Sequence, residues 1–365
     1  MIECRRIHEI MTKVARYFIE LMQVALGRIE RLSGMPTEKQ WYGLLQMSVD
    51  HSMQGIIFAG IQRLSQDQMP PLRVKMLFHG QSEAVRLRNA TMNEQCVVVT
   101  EYFRKAGFRT AIMKGQGNAR LYGDLSDARS SGDIDIWVEG GFEKVNAFVQ
   151  ETCPTKEVNE LEIQYGAFPG FVVEVHYRPF IMRNFIYNAR LQKFFDNEAE
   201  ACFGQNEPVN WVTMRFNIIH QLAHIRLHLF TEGIGLRQLM DYYFVLMNSK
   251  EDRGEMMRIV RSLGMESFAS ALMWVMSDIF RLDKEKLLCE PNEKNGRFLF
   301  DEVVKSGNFG RNDKELKEKK KEAYGHFWLF FIRNIRYWRF DKWDWICGPL
   351  WRFYYRFWKL KRGFE

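Results

Sequence analysis

The chain has 365 residues, 46% of them hydrophobic and 27% charged, a composition that is typical of a folded globular protein and excludes an intrinsically disordered one. No stretch approaches the roughly 20 uninterrupted apolar residues of a membrane-spanning helix, and the six cysteines form no CxxC pair, which argues against a zinc knuckle or a disulfide framework. The net charge of +7 is concentrated in residues 324–365, where nine Lys/Arg accompany three acids, so the remaining chain does not indicate a nucleic-acid-binding body.

Residues 1–105 are predicted to be helical, because apolar residues recur at spacings of three and four, as in the segment 41–64. A Thr/Glu start signal at 37–38 begins one of these helices. The N-terminus interleaves charged and apolar residues without a signal-peptide pattern, so we expect the first helix of a cytoplasmic protein. This part of the chain offers no candidate for chemistry.

Strand signals follow at 108–113, 132–138, 161–167 and 171–178, and the last two strands are predicted to form a hairpin through the turn FPG. Residues 141–152 have helical periodicity, and helical patterns return after about residue 205. The charged run 313–322 is predicted to be a solvated helix or linker. The fold class is therefore predicted to be α+β, a small mixed-sheet core flanked by N- and C-terminal helical regions, with divisions at 1–105, 106–204, 205–312 and 313–365.

Two aspartates stand one residue apart in the strand SSGDIDIWV. Because alternate residues of a strand share a face, Asp133 and Asp135 project together while Ile134 and Ile136 project toward the opposite side. Closely spaced carboxylates on a rigid strand can hold two metal ions that clamp the attacking and leaving oxygens of a phosphoryl or nucleotidyl transfer. The alternative is an exposed edge strand with solvated carboxylates.

The strand FVVEVHYR carries a third carboxylate. Glu174 and His176 share one of its faces, so Glu174 could complete the metal site or accept the proton of an attacking hydroxyl. Glu174 could instead form a cross-strand salt bridge. His176 could orient a carboxylate or simply pack in the core.

A strand runs into a glycine-containing helix start at AIMKGQGNAR. Exposed backbone N–H groups and the helix dipole favour a phosphate at Lys114-Gly115, and Lys114 adds a positive charge. Before the second strand, Ser131-Gly132 allow the backbone to approach a ligand closely.

The ordered set of these segments resembles the nucleotidyltransferases of the DNA polymerase β superfamily, and within it a bacterial branch. The matching segments are MKG (113–115), Tyr122, RSSGDIDIWV (129–138) and VEVHYR (173–178), and the helical segment 224–242 is similar to the branch pattern of histidines followed by G-x-x-L-R-x-x-x-D. The superfamily more often has Gly-Ser where this chain has Lys114-Gly115.

The resemblance implies ATP or another NTP as substrate and transfer of its NMP to an acceptor hydroxyl with release of pyrophosphate. Two Mg²⁺ would be held by Asp133 and Asp135, with Glu174 as the third metal-site carboxylate and activator of the acceptor. The nucleotide-binding candidates are Lys114, Gly115, Arg129, Ser131 and Gly132, and the candidates for the cleft are His176, His224, His228, Arg237 and Asp241. Small alcohols, protein side chains and RNA ends all satisfy the same chemistry as acceptor.

Several helical residues allow more than one interpretation. His220, His224 and His228 share a helix face, so they form a structural zinc site or line the core or cleft. Arg237 and Asp241 are four residues apart, so they form an intrahelical ion pair or, by resemblance, face a domain interface or the nucleotide.

The segment 324–365 is rich in aromatic residues. Its last helix is predicted to carry Trp351, Tyr354, Tyr355 and Trp358 on one face and Arg352, Arg356 and Lys359 on the other. Such a helix could contact a membrane surface peripherally, bind single-stranded nucleic acid, or pack its aromatic stripe on the helical body. Two alternatives to the enzyme therefore stay open: a catalytically degenerate nucleotide-binding regulatory protein, and a membrane-surface or nucleic-acid adaptor.

Overall fold

The computed structural model describes residues 2–205, 207–307 and 335–364, and it confirms the α+β class. The predicted linker at 313–322 lies outside the described residues. Four helices come first: α1 (Ile2–Ala25), α2 (Glu38–Asp50), α3 (Gln54–Gln62) and α4 (Leu72–Lys105). The predicted helix start is confirmed, since the Thr37 side chain accepts the N–H of Gln40 and the Gln40 side chain accepts the N–H of Thr37.

The sheet has four strands: β1 (Thr110–Ile112), β2 (Asp133–Val138), β3 (Glu162–Tyr165) and β4 (Val172–His176), in the order β1-β2-β4-β3. β2 and β4 are parallel, whereas β1 pairs with β2 and β3 pairs with β4 in antiparallel fashion, so the sheet is mixed as predicted. The short helix α5 (Lys114–Ala119) and a 3₁₀ segment (Arg120–Ala128) join β1 to β2, and α6 (Gly141–Thr152) coincides with the predicted helix.

Helices again make up most of the described chain after the sheet. They are α7 (Phe185–Phe203), α8 (Met214–Thr231), α9 (Leu236–Asn248), α10 (Arg253–Ser262), α11 (Glu266–Trp274), α12 (Glu293–Ser306) and α13 (Asp344–Lys361). None of the described helices is both long and apolar enough to cross a membrane.

The two faces of the sheet have different surroundings. Ile134 and Ile136 are buried in one hydrophobic cluster with Val173 and Val175, as the alternation predicts, so this face anchors the sheet. The opposite face carries the acids and lies toward α8 and α9. A second hydrophobic cluster joins residues of α1–α3 to residues of α8–α12, so both helical regions share one core.

The aromatic helix α13 packs on the sheet domain. The indole N–H of Trp351 donates to Glu160 Oε1 at 3.0 Å, and its ring lies 5.4 Å from that of Phe185. Trp358 is buried against Phe142, with ring centroids 5.3 Å apart. Trp351 and Trp358 of α13 therefore contact the part of the chain between α6 and α7 and the first residues of these two helices.

Candidate active site

Acidic side chains from three adjacent strands meet on the polar face of the sheet. Asp135 stands opposite Glu174 in the parallel pair of β2 and β4, with Asp133 two residues earlier on the same face. His176 stands opposite Glu162 across the antiparallel pair of β4 and β3. The pairing register therefore converts three separate sequence segments into one cluster.

Asp135 is buried at the centre of the cluster and is held by two cationic groups. The ammonium of Lys114 lies 2.5 Å from Asp135 Oδ1, and Nε2 of His176 lies 3.0 Å from the same atom. Burial alone would raise the pKa of Asp135, but Lys114 and His176 outweigh it and hold the pKa well below its usual range. Asp135 is therefore ionised near neutral pH.

His176 is fully buried among carboxylates. Its Nε2 also lies 3.1 Å from Glu162 Oε2 and 3.7 Å from Glu174 Oε2. Burial lowers the pKa of His176, but Glu162 together with Asp135 and Glu174 outweighs that effect and raises the pKa to about 9. The imidazole therefore contacts three acids of the cluster, and its role in orienting them stays a prediction.

The other two predicted acids have raised pKa values. Burial, with the charges of Asp135 and Glu162, raises the pKa of Glu174 to about 7. Burial and the charge of Asp135 also raise the pKa of Asp133, which is half-buried. Both carboxylates therefore carry a cost of burial and of repulsion by Asp135, which an added cation would relieve.

One group in the described part of the chain has the composition and spacing of a metal site. Ligand atoms of Asp135, Glu174 and His176 all lie within 4.8 Å of one another. Asp133 is outside this group, but it lines the cavity into which Asp135 and Glu174 open. Carboxylate oxygens suit Mg²⁺, whereas a neutral imidazole suits softer metals.

The acids open into a cavity of about 550 Å³ between the sheet and helices α8 and α9. This volume lies in the range of small-molecule sites. All but one of the site residues predicted from the sequence line it, namely Lys114, Gly115, Arg129, Ser131, Gly132, Asp133, Asp135, Glu174, His224, His228, Arg237 and Asp241. The exception is His176, which is buried beside Asp135.

The KG segment has an unusual backbone. Lys114 has a φ of 36°, in the left-handed region that residues with a Cβ rarely adopt. A Cβ added to Gly115 would lie 3.2 Å from the carbonyl oxygen of Asp133, so the glycine permits close contact with β2. Since α5 has six residues and is kinked at Gly115, the ammonium of Lys114 is a stronger source of positive charge here than the helix dipole.

A buried ion pair connects α9 to the loop before β2. The guanidinium of Arg129 binds Asp241 through two hydrogen bonds of 2.7 and 2.8 Å, and the hydroxyl of Tyr122 donates to Asp241 Oδ1 at 2.6 Å. The ion-pair partner of Asp241 is therefore Arg129 from the sheet domain, which differs from the intrahelical pair with Arg237. Three segments of the resemblance motif meet in this contact.

Arg237 extends from α9 into the cavity. Its Nη1 donates to the carbonyl oxygen of Ser130 at 3.0 Å, and within the described residues its Nε has no hydrogen-bond partner. Burial and the charge of Arg129 lower the pKa of Arg237. A partly desolvated cation of this kind attracts an anionic ligand.

Three residues that contribute to the site were not predicted from the sequence. Arg88 and Asn89 of α4 hold the loop before β2: Arg88 Nε donates to the carbonyl of Ser131 at 2.9 Å, and Asn89 Nδ2 donates to the carbonyl of Arg129 at 2.6 Å. Glu162 joins the acid cluster from β3. The first region, from which no chemistry was expected, therefore positions the loop.

The three histidines of α8 stack along one helix face, with ring centroids 5.9 Å apart for His220 and His224 and 4.2 Å apart for His224 and His228. Nε2 of His220 lies 3.2 Å from the carbonyl oxygen of Pro179, and the Nε2 atoms of His224 and His228 are 3.0 Å apart. Burial lowers the pKa of His220 to about 3 and that of His224 well below its usual value. In the described structure these rings are core and cleft residues outside the metal-site group.

Comparisons with known proteins agree with the site. Searches of the curated proteins and of the solved structures give no match. A family model described as "uncharacterised nucleotidyltransferase" matches residues 37–281, about two thirds of the chain, including the acid cluster and the helices that cover it. The chain therefore belongs to this family of nucleotidyltransferases.

Proposed function

We propose that the protein is a member of the DNA polymerase β superfamily that transfers an NMP from an NTP to an acceptor hydroxyl. The observation that carries this proposal is the convergence of Asp133, Asp135 and Glu174 on one cavity large enough for a small ligand. The family membership supports nucleotidyl transfer in general. The acceptor and the two-metal mechanism are the specific parts of the proposal.

The three acids would hold two Mg²⁺ ions. The fit rests on the donor set, which offers carboxylate oxygens from adjacent strands, and on the burial and neighbouring carboxylates that raise the pKa of Glu174 to about 7. When bound, such ions neutralise charge on the transferring phosphoryl group and polarise the attacking oxygen. In this assignment His176 would position Asp135 and Glu174, whose carboxylate oxygens lie 3.0 and 3.7 Å from its Nε2.

The cations around the cavity would bind the triphosphate. Arg237 lines the cavity and brings a positive charge to it, and the Lys114 ammonium lies beside an acid that would hold the metals. Arg129 contributes indirectly, since its guanidinium is engaged by Asp241 and its backbone belongs to the loop before β2. The proposal also includes the division of the chain into the regions 1–105, 106–204, 205–312 and 313–365.

Glu174 would act as the general base. Its carboxylate lines the cavity on the strand next to Asp135, where an acceptor hydroxyl could reach it. The acceptor oxygen would attack the α-phosphorus of the NTP while its proton passes to Glu174. The bond from the α-phosphorus to the bridging oxygen breaks, and pyrophosphate leaves.

Calorimetry with ATP and Mg²⁺ followed by a pyrophosphate-release assay tests the proposal. We expect Mg²⁺-dependent ATP binding that Asp133→Asn weakens about tenfold or more, and pyrophosphate release with at least one hydroxyl acceptor. Asp124→Asn is the matched control, because Asp124 is exposed and outside the cavity lining. Binding without release across acceptors would assign a nucleotide-binding regulatory protein. ATP and Mg²⁺ affinities unchanged by Asp135→Ala would overturn the site altogether.

A further inference from the structure

The helix α13 has a second, outward apolar face that differs from the aromatic face expected from the sequence. Its inner side is occupied by Trp351 and Trp358, which are buried against the sheet domain. On the outer side Phe353 is 76% exposed and Phe357 is 67% exposed. The inner aromatic residues are therefore unavailable to a partner, and the outer ones remain accessible.

The outer residues form a continuous stripe, which consists of Leu350, Phe353, Phe357 and Leu360. Their spacings of three, four and three residues place them along one face of the helix. Near this helix, Ile186 of α7 is also exposed, and its neighbour Phe185 contacts Tyr354 with ring centroids 5.9 Å apart. An exposed apolar surface of this extent marks an interaction site.

Basic residues border the stripe. Arg352, Arg356, Lys359 and Lys361 lie on α13, whose single acid is Asp344 at the first position. Arg352 is exposed, and partial burial together with the nearby charge of Arg183 lowers the pKa of its guanidinium. The apolar stripe therefore lies within a positively charged surface.

We propose that this stripe binds the surface of an anionic phospholipid membrane, with α13 lying in the plane of the interface. Phe and Leu side chains enter the boundary between headgroups and acyl chains, and flanking Lys/Arg side chains contact lipid phosphates. Two leucines offer nucleic-acid bases no stacking surface, which disfavours RNA. A second copy of the chain would bring like charges together across a two-fold interface, which disfavours a dimer through this face.

Co-sedimentation of the full chain with vesicles tests the proposal. We expect binding to vesicles of phosphatidylcholine with about 30% phosphatidylserine, and much weaker binding to phosphatidylcholine alone or at about 0.5 M NaCl. The double variant Phe353→Ser/Phe357→Ser should lower the affinity about tenfold or more. Arg356→Glu should lower it for anionic vesicles without altering the apolar stripe.

The matched control is Leu72→Ser/Met76→Ser on α4, where two apolar residues are 75% and 58% exposed. This variant should bind vesicles as the wild type does. Each substituted side chain is largely exposed, so unchanged circular dichroism and unchanged ATP affinity are expected for every variant. Absence of wild-type binding to anionic vesicles would overturn the proposal. Vesicle binding by the Phe353/Phe357 variant equal to that of the wild type would also overturn it. The same holds if the wild type binds no vesicles and the variant loses self-association or RNA binding.

Discussion

Removing the carboxylate of Asp241 should destabilise the protein strongly, because this carboxylate is buried against a guanidinium. The Arg129 and Asp241 side chains are 3% and 5% exposed, so Asp241→Ala leaves a buried guanidinium without a counterion. Breaking a buried pair in this way costs about 3–5 kcal/mol of unfolding free energy. The lost hydrogen bond from Tyr122 adds about 1 kcal/mol. We therefore expect a loss of about 4–6 kcal/mol.

Urea unfolding monitored by circular dichroism and by tryptophan fluorescence measures this loss, provided that the two transitions coincide. Tyr122→Phe should cost only about 1 kcal/mol, because the ring keeps its stacking on Phe244 at a centroid distance of 4.0 Å. The paired replacement Arg129→Met/Asp241→Leu should recover most of the stability, since it removes both charges together.

An exposed ion pair of similar geometry is the control. Arg109 binds Glu139 through hydrogen bonds of 2.8 and 2.7 Å, and both side chains are more than 40% exposed. Glu139→Ala should therefore cost less than about 1 kcal/mol. If Asp241→Ala cost no more than this control, the conclusion that burial makes the Arg129 pair structurally decisive would be wrong.

Three further outcomes are expected. Burial lowers the pKa of His51 to about 4. As the pH falls, the unfolded state therefore binds a proton before the folded state does, and the unfolding free energy should fall by about 3 kcal/mol from pH 6.5 to pH 4. Urea unfolding at a series of pH values should show a smaller fall for His51→Gln. Gly55→Ala should cost about 2 kcal/mol because its Cβ would lie 2.7 Å from Ala128 Cα, whereas Gly80→Ala, with nothing within 4 Å, should stabilise helix α4 by roughly 0.5–1 kcal/mol in the same assay. Arg237→Ala should weaken ATP binding about tenfold in calorimetry and lower the unfolding free energy by about 1 kcal/mol through the lost hydrogen bond to Ser130; unchanged ATP affinity would contradict its proposed contact with phosphate.

Local sequence patterns correctly predicted the hairpin and the helix of the sheet region and the buried face of β2. The two-residue period of a strand requires Asp133 and Asp135 to share a face opposite Ile134 and Ile136, and the structure confirms that the isoleucines are buried. The predicted hairpin and the helix 141–152 are confirmed as well. These features depend on residues that are near one another in the chain.

Contacts between distant segments could not be read in the same way. Glu162 enters the site only because the β3–β4 register sets it opposite His176, and a shift of one residue would turn its side chain to the other face. Asn89 reaches the loop before β2 from a long helix whose own sequence has no site pattern. Likewise, Arg237 lies four residues before Asp241 on the same helix, but the ion-pair partner of Asp241 is Arg129 in the loop before β2.

The acids on the sheet are therefore only part of a site that the two helical regions complete. Asn89 and Arg88 hold the loop from the N-terminal side, while Asp241 holds Arg129 of the same loop from the C-terminal side. Because both anchors hold residues two to four positions before Asp133, a shift of either helical region would change the direction of the aspartates relative to Arg237. The shared hydrophobic core of the two helical regions makes such a shift costly, since it would expose apolar surface. The geometry of the acid cluster is thus determined by the whole helical body as well as by the strand that carries the motif.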